Sequence, residues 1–499
     1  MSALFRPAGL LKVLIVLFWT LMVFLLVQQV YLVPKVKLEE ARIIPESETW
    51  MSIFFKGQKV GYSVQTFTRS DPEYIVDHKT YLRLKLLGSF QEVRTVTSAR
   101  LGPSMDLKSF NFFMSAGPIR YQLTGKLQGL NLELNSMTGG YKTKSIITLQ
   151  EVPRPAAALM PYLVQQGLEK GQRFQVPIFD PSTLATRLVR VTVEDEEKLR
   201  LNDQTIDTLR LRLDYFDTKS YTWVDTNGRT VKEEGLMGLS MVRTTPEEAR
   251  KGLAGRAELT DVVTATSAPT NMTLKEPRRV RYLRARLKGL DFTGFDLDGD
   301  RQRFKDGVIE VEREIIPVLR DQEPPFNDPE LKPFLAPTSF VQSRDAKIVA
   351  QAKKIVKDEK SVWGIASAIT DWVHYNLEKR PTMSIPSAVE VLRTKVGDCN
   401  EHAVLAAALL RAMGVPTKVV VGVLYYEGRF YYHAWLEVYW GRVKTADGRL
   451  TPFWVSLDPL LGQIPADATH IRFLSGGIEK QVDMIRVIGR LEVEIMEFK

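Results

Sequence analysis

The stretch "GDCNEHAVLAAALLRAMGVPTKVVVGV", residues 397–423, describes a helix followed by the start of a strand. Asp398, with Glu401 three residues later, predicts a capping box that opens the helix, and the glycine and proline of "GVP" predict its end. The helix is apolar nearly all round, so we expect a central, buried element. Cys399 would occupy its first position, where unpaired backbone amides and the helix dipole favour a thiolate.

The residues after this helix predict strands that carry a histidine and an aspartate. "TKVVVGVLYYEGRFYYHAWLEVYW" is typical of two strands joined at a Glu-Gly turn, and alternation places His433, Trp435 and Glu437 on one face. A third strand, "FWVSLDP", ends at Asp458. Its carboxylate could bond one imidazole nitrogen of His433 and leave the other facing Cys399.

Each of these residues also has an ordinary explanation. A buried cysteine is usually a small hydrophobe, a strand histidine is usually a hydrogen-bonded core residue, and aspartate before proline is a common turn. Their joint order, thiol then base then carboxylate, is what favours a catalytic site. His402 is an alternative base, but we prefer His433 because His402 shares the first helical turn with Cys399 and has no evident group to orient it.

Three stretches, "GDCNEHAVLAAALLRAMGVPTKVVVGV", "YYHAWLEVYW" and "WVSLDPLLGQIPADATHIRF", resemble the transglutaminase-like superfamily, in particular bacterial membrane-anchored proteins that carry this domain. The resemblance covers about residues 343–473. It implies a papain-like α+β fold with Cys399 as nucleophile, His433 as general base and acid, and Asp458 as the orienting carboxylate. It also implies acyl transfer from a protein or peptide amide, ending in cross-linking, deamidation or proteolysis. Leu460 departs from the family, which often has threonine after the aspartate-proline pair.

The sequence predicts no cofactor and no metal site. One cysteine and five dispersed histidines give no cluster with zinc-ligand spacing. A net charge of +9 is modest for 499 residues, and no nucleic-acid-binding motif is present, so we expect no nucleic-acid partner. The backbone amide of Cys399 at the helix start is the natural first donor to an oxyanion.

An apolar run near the N-terminus predicts a membrane anchor. Val13–Val33 contains 21 residues without an ionised side chain, which as a helix would reach ~31 Å, enough to cross a bilayer core. A cleaved signal peptide is the alternative, but no small-residue cleavage site follows the run. Basic residues flank both ends and leave the orientation open. We expect residues 1–12 to be cytoplasmic and the body of this single-pass inner-membrane protein to lie in the periplasm or outside the cell.

Residues 45–250 are predicted to form a β-rich domain. Apolar and polar residues alternate at period two, as around Leu84, Leu132 and Leu211, which is typical of half-buried antiparallel strands in a large sheet, a sandwich or an open barrel. Asn227-Gly228 predicts a two-residue hairpin turn, and residues 156–166 predict one short helix.

Three further regions follow. Residues 251–337 are predicted to be a second β-rich region ending in a proline-rich linker. Residues 338–473 form the predicted catalytic domain, in which Ser387 and Glu390 suggest another capping box, and residues 474–499 form a C-terminal strand tail.

Two features of the second β-rich region invite stronger interpretations. "DLDGD", Asp296 to Asp300, hints at a calcium loop, but Arg301 and Gly307 occupy the positions of the required glycine and glutamate, so a turn is favoured. The basic run from Arg278 to Lys288 could bind lipid, polysaccharide or protein, but on a strand such charges usually form a solvated face.

The sequence therefore predicts an α+β protein with a papain-like core at its C-terminus, preceded by β-rich domains and an N-terminal transmembrane helix. Its predicted function is that of a membrane-anchored, cysteine-dependent acyltransferase or amide hydrolase. A catalytically silent envelope scaffold is one alternative. An envelope protein that binds carbohydrate or lipid through its β domains is another.

Overall fold

The computed structural model describes twelve stretches of the chain, which together begin at Ile44 and end at Lys499. They are residues 44–117, 119–138, 141–165, 167–180, 185–201, 203–215, 218–255, 258–316, 322–381, 387–444, 448–476 and 482–499. The predicted cytoplasmic segment and the predicted transmembrane segment Val13–Val33 lie outside these stretches. Within them, every helix is too short or too polar to cross a bilayer.

Eight consecutive antiparallel strands form the first half of a large sheet, each paired with the next. They are β1 (Ser47–Phe55), β2 (Gln58–Ser70), β3 (Glu73–Leu86), β4 (Ser89–Leu101), β5 (Leu107–Ala116), β6 (Ile119–Gln128), β7 (Asn131–Thr138) and β8 (Tyr141–Thr148). The predicted alternation is confirmed where Leu84 and Leu132 are buried. Leu130 precedes β7 in a turn and is exposed, because it lies outside the pleat.

Seven more strands complete this sheet: β9 (Arg154–Pro155), β10 (Arg173–Asp180), β11 (Ala185–Leu201), β12 (Gln204–Tyr215), β13 (Thr218–Val224), β14 (Thr230–Glu234) and β15 (Leu239–Thr244). β15 pairs with β1, which joins the two halves into one 15-stranded sheet. The sheet curls over, since the rings of Phe110 on β5 and Phe179 on β10 lie 5.3 Å apart although their strands are distant in the sheet order. Helix α1 (Ala156–Gln165), close to its predicted bounds, packs Leu159 and Tyr162 into the enclosed core.

The predicted two-residue turn at Asn227-Gly228 is wrong. β13 ends at Val224 and β14 begins at Thr230, and the Asp225 side chain accepts hydrogen bonds from the backbone amides of Asn227 and Arg229. Only Gly228 of the Asn-Gly pair has a positive φ, of 77°. A side-chain acceptor thus stabilises a longer loop than the dipeptide alone indicates.

A second sheet of four strands follows. After α2 (Pro246–Arg250), α3 (Val262–Thr266) and the short β16 (Ala268–Pro269) come β17 (Tyr282–Lys288), β18 (Gln302–Lys305) and β19 (Val308–Glu312), and β26 (Glu492–Phe498) returns from the chain end to pair with β17. The basic strand β17 buries its apolar residues, while Arg284 pairs with Glu310 and Lys288 with Glu494. Its charges therefore face acidic side chains on the neighbouring strands.

The region of residues 338–476 packs helices against a third, antiparallel sheet. The helices are α4 (Ala346–Val356), α5 (Val362–Asn376), α6 (Ala388–Thr394) and α7 (Cys399–Ala412), and the strands are β22 (Thr417–Tyr426), β23 (Arg429–Lys444), β24 (Leu450–Leu457) and β25 (His470–Ser475). A short parallel pair, β20 (Glu378–Lys379) and β21 (Val396–Gly397), lies beside α7. β23 is central, pairing with β22, β24 and β16. This arrangement is an α+β domain at the C-terminus, preceded by a β-rich region.

The predicted capping box at Ser387 is wrong. Ser387 precedes α6 but makes no side-chain cap; its hydroxyl accepts a hydrogen bond from Gln342 instead. Glu390 pairs with Arg393 rather than with the helix start. Both side chains bond to groups outside the predicted cap, Gln342 and Arg393, and a local sequence motif cannot reveal such partners.

The acidic loop from Asp296 to Asp300 binds a guanidinium of the third sheet. Arg472 on β25 donates to the Asp296 carbonyl at 3.2 Å, to the Gly299 carbonyl at 3.3 Å and to an Asp300 carboxylate oxygen at 3.1 Å. The same guanidinium bonds Glu437 on β23 at 2.6 Å. The loop is therefore a turn, as favoured, and a side-chain cation connects it to β25.

Candidate active site

The start of α7 is built as the sequence predicts. Asp398 Oδ1 accepts from the Asn400 amide at 3.0 Å, and Glu401 Oε2 accepts from the Asp398 amide at 2.9 Å, so the capping box is confirmed. Gly397 makes this possible, because a Cβ atom there would lie 2.2 Å from the Cβ of Glu401. The helix body is buried, which fixes Cys399 at its tip.

The thiol of Cys399 is buried near acidic side chains. Cys399 is only 9% exposed. Burial raises the pKa of the Cys399 thiol well above its ordinary value, and the Asp398 carboxylate raises it further. The Ala434 backbone amide donates a hydrogen bond to the thiol and acts in the opposite direction. The helix end was expected to favour the thiolate, whereas burial and the Asp398 carboxylate favour the thiol.

His433 on β23 and Asp458 after β24 form a buried pair. His433 Nε2 lies 2.8 Å from Asp458 Oδ2, and this bond does not use the other ring nitrogen, Nδ1. The Ala434 amide that donates to the Cys399 thiol belongs to the residue after His433, so the thiol lies against the section of β23 that carries His433. The structure thus brings the predicted base and carboxylate together, and sets the predicted nucleophile beside that strand.

Asp458 is fully buried and accepts four hydrogen bonds. Oδ1 accepts from the amides of Leu460 at 2.8 Å and Leu461 at 3.1 Å, while Oδ2 lies near two imidazoles. Burial alone would raise the pKa of Asp458, but His433 and His470 outweigh it and hold that pKa well below its ordinary value. Leu460, where the family often has threonine, bonds Asp458 through its backbone amide and not through its side chain.

Trp435 and Glu437, which were predicted to share a face with His433, both make side-chain contacts. The ring of Trp435 stacks on that of His433 at 6.0 Å with an interplanar angle of 17°, which fixes the orientation of the imidazole. Glu437, two residues further along the same face, is bonded to Arg472. The alternation predicted for β23 is confirmed.

His470 is a site residue that the sequence reasoning missed. It begins β25 and is fully buried, with Nε2 at 3.1 Å from Asp458 Oδ2 and Nδ1 at 3.1 Å from the Asp467 carbonyl. Burial would lower the pKa of His470, but Asp467 and Asp458 outweigh it, so that pKa lies above its ordinary value. The only hint in the sequence is its presence in the stretch that closes the family resemblance.

His433, Asp458 and His470 are also a set of side chains that could hold a metal ion. Their ligand atoms lie within 4.8 Å of one another. The spacing of the histidines in the sequence did not indicate this cluster. Hydrogen bonds account for the two imidazole-to-carboxylate distances of 2.8 and 3.1 Å. A metal at this position would displace the proton that joins His433 to Asp458.

His402, the alternative base, is oriented by a different group. Its Nδ1 donates to the Asp398 carbonyl at 2.7 Å, an orienting contact that the sequence did not indicate. Burial lowers the pKa of His402 to about 4, so the ring is neutral near pH 7. Asp458 bonds His433 and not His402, which keeps His433 the preferred base.

Residues 349–459 match the family model of the transglutaminase-like superfamily. Solved structures similar to the chain include a candidate cysteine protease from Cytophaga hutchinsonii (17% identity, 44% of this chain and 86% of that one, TM-score 0.29) and a candidate protease from Parabacteroides distasonis (14%, 85% and 71%, 0.19). A third is a β-barrel-like protein of unknown function from Brucella abortus (13%, 41% and 97%, 0.32). A search of curated proteins found no match.

Proposed function

Since residues 349–459 form a transglutaminase-like superfamily domain, we propose that this chain is a membrane-anchored, cysteine-dependent acyltransferase or amide hydrolase. Its substrates are protein or peptide amides. Cys399 is the nucleophile, His433 the general base and acid, and Asp458 the carboxylate that orients His433. The hydrogen bond of 2.8 Å between His433 and Asp458, buried beside the tip of α7, is the observation that carries the proposal.

The proposed reaction begins with transfer of the thiol proton. His433 Nδ1 accepts the proton of Cys399 as the sulfur attacks the amide carbonyl, so a C–S bond forms and the carbonyl oxygen becomes an oxyanion. The Cys399 amide, at the helix start, donates to that oxyanion. The C–N bond then breaks, and His433 returns the proton to the departing amine or ammonia.

The acyl-enzyme that remains has two possible acceptors. Water, deprotonated by His433, gives a carboxylic acid, which amounts to deamidation or proteolysis. A lysine amine gives a new amide and therefore a cross-link. In both cases the C–S bond breaks and the sulfur recovers a proton through His433.

The proposed location combines the apolar run with the β-rich region. Val13–Val33 would span the inner membrane once, with residues 1–12 in the cytoplasm. The β-rich domain, residues 45–250, and the region 251–337 would then carry the catalytic domain, residues 338–473, on the periplasmic or outer side. Protease protection in spheroplasts, read with antibodies to each end, checks this orientation.

Mass spectrometry of products tests the reaction. Peptides and envelope proteins are incubated with the purified full-length protein or with Cys399→Ser, and cross-linked, deamidated and cleaved products are scored separately. The proposal expects at least one product class with the wild type and none with the variant. Equal product yields from both proteins would refute Cys399 as the nucleophile.

A catalytically silent envelope scaffold remains the second candidate, and one observation favours it. Cys399 is only 9% exposed, as is common for a structural cysteine. Under this alternative Cys399→Ala restores a deletion strain fully. An enzyme that depends on the thiol would lose that complementation.

A further inference from the structure

Both ring nitrogens of His470 point at oxygen atoms that can only accept hydrogen bonds. Nε2 lies 3.1 Å from Asp458 Oδ2, and Nδ1 lies 3.1 Å from the carbonyl of Asp467 and 3.5 Å from its carboxylate. A neutral imidazole has one N–H, and the lone pair of its other nitrogen would point at a lone pair of an oxygen atom. With both partners fixed as acceptors in a fully buried position, each nitrogen must donate, which requires the imidazolium.

If His470 is an imidazolium, the charges around it balance. Two carboxylates, Asp458 and Asp467, face the ring, and both are buried. Asp467 is also bonded to the guanidinium of Arg278 at 2.7 Å. The ring of His433 lies 5.6 Å from that of His470, and the remaining aromatic neighbour, Trp435, is uncharged. The Arg301 guanidinium bonds the Asp467 carbonyl at 2.8 Å and is itself paired with Glu314 at 3.4 Å. The carboxylates of Asp458, Asp467 and Glu314 then balance Arg278, Arg301 and an imidazolium at His470, without any charge on His433.

We infer that His470 is a buried imidazolium that positions Asp458 and compensates its charge, so that His433 can remain neutral at rest. This positioning role rests on the proposed function, since it matters only if His433 is the base. A neutral His433 is the form that can accept a proton from a thiol, and burial raises the pKa of the Cys399 thiol. Asp458 alone would favour a charged His433, which could not act as that base.

His470 on this account sets the pH at which the site works. Replacing it with a neutral donor leaves Asp458 uncompensated, which favours protonation of His433. The base is then lost at a higher pH than in the wild type. His470→Gln isolates the charge, because glutamine keeps a donor that can reach Asp458.

The experiment has two parts, both on purified full-length protein. The first is ¹⁵N NMR of histidine-labelled wild type at pH 8, which reports protonation of both nitrogens of each ring. We expect one buried histidine in the imidazolium form, assigned as His470 by its absence in His470→Gln. A spectrum in which His470 has one unprotonated nitrogen would overturn the inference.

The second part is the pH profile of Cys399 alkylation by iodoacetamide. The acid limb should move up by about one pH unit in His470→Gln. The matched control is His374→Gln, since Nδ1 of His374 bonds the Leu460 carbonyl and does not contact Asp458; its profile should equal that of the wild type. An unchanged profile in His470→Gln would also overturn the inference.

Failure of the proposed function gives a different result. If Cys399 were not a nucleophile, alkylation would be slow in every variant and no amide product would form, while His470 would still be observed as an imidazolium. A neutral His470 with fast alkylation of Cys399 would instead refute only the positioning role.

Discussion

Asp458 has no exposed surface, and its carboxylate is surrounded by two imidazoles and two backbone amides. The Asp458 carboxylate stays ionised because both of its oxygens accept hydrogen bonds. It also fixes which nitrogen of His433 carries a proton, since a carboxylate can only accept. The tautomer that results has Nε2 protonated and Nδ1 unprotonated, and Nδ1 is the atom that receives the thiol proton in the proposed reaction.

Asp458→Asn should therefore slow Cys399 alkylation at pH 7 by at least about tenfold, because an amide can donate to Nε2 and stabilise the wrong tautomer of His433. The measurement is the rate of iodoacetamide incorporation into native protein. Asp296→Asn is the matched control, as its carboxylate lies near Arg472 and makes no bond to an imidazole. A rate in Asp458→Asn equal to the control would show that Asp458 does not orient the base.

At the scale of residues, local rules explain what the sequence could predict. The capping box at Asp398, the alternation around His433 and the end of β24 at Asp458 all depend on neighbours a few positions away. His470 could not be found this way, because its contact with Asp458 forms only when the intervening loop folds back. The burial that raises the pKa of Cys399 was not indicated by the sequence either, because burial is a tertiary property.

The element that holds Cys399 is α7, and its N-terminus has two opposed effects. The bonded cap stabilises the helix that fixes Cys399. The charge on the capping residue, however, raises the pKa of the thiol. Asparagine caps a helix about as well as aspartate, so the two effects can be separated.

Asp398→Asn should lower the pKa of Cys399, because the anion that disfavours the thiolate is removed. At any pH below that pKa a larger fraction of thiolate is present, and alkylation should be roughly three to ten times faster. Thermal unfolding should change little. Glu401→Gln is the companion variant and should give a smaller increase, since Glu401 raises the pKa of the thiol less than Asp398 does. A slower reaction in Asp398→Asn would contradict this account.

The element that the sequence misjudged is α6. Its Ser387 and Glu390 fit the capping pattern as well as Asp398 and Glu401 do, but only the second pair forms the box. The difference lies in competing partners, Gln342 for Ser387 and Arg393 for Glu390. A four-residue sequence motif contains no information about such competing bonding partners.

At the scale of the whole molecule, the sheet that carries His433 is joined to the region before it, because β16 pairs with β23. The chain end joins that same earlier region, because β26 pairs with β17. Arg472 adds a buried ionic contact between β25, Glu437 and the loop that ends at Asp300. The period-two pattern predicted strands in these regions, but not the curl of the 15-stranded sheet, which depends on contacts such as Phe110 with Phe179.

Arg472→Met should destabilise the protein by about 3 kcal/mol, because it leaves the buried carboxylate of Glu437 without its closest cation. Denaturant unfolding of the full-length protein measures the change. Arg284→Met is the control, since Arg284 and its partner Glu310 are both about 40% exposed, and it should cost less than about 1 kcal/mol. Equal losses in the two variants would mean that Arg472 does not connect the loop to the sheet.

The central claim is that His433 activates Cys399, and the most direct test is the rate of Cys399 alkylation in native wild type and native His433→Ala. Cys399 is the only cysteine in the chain, so iodoacetamide incorporation reports on it alone. Denatured samples of both proteins should react equally and serve as the control. We predict that native His433→Ala reacts about 10²-fold more slowly near pH 7. Equal native rates would contradict the account.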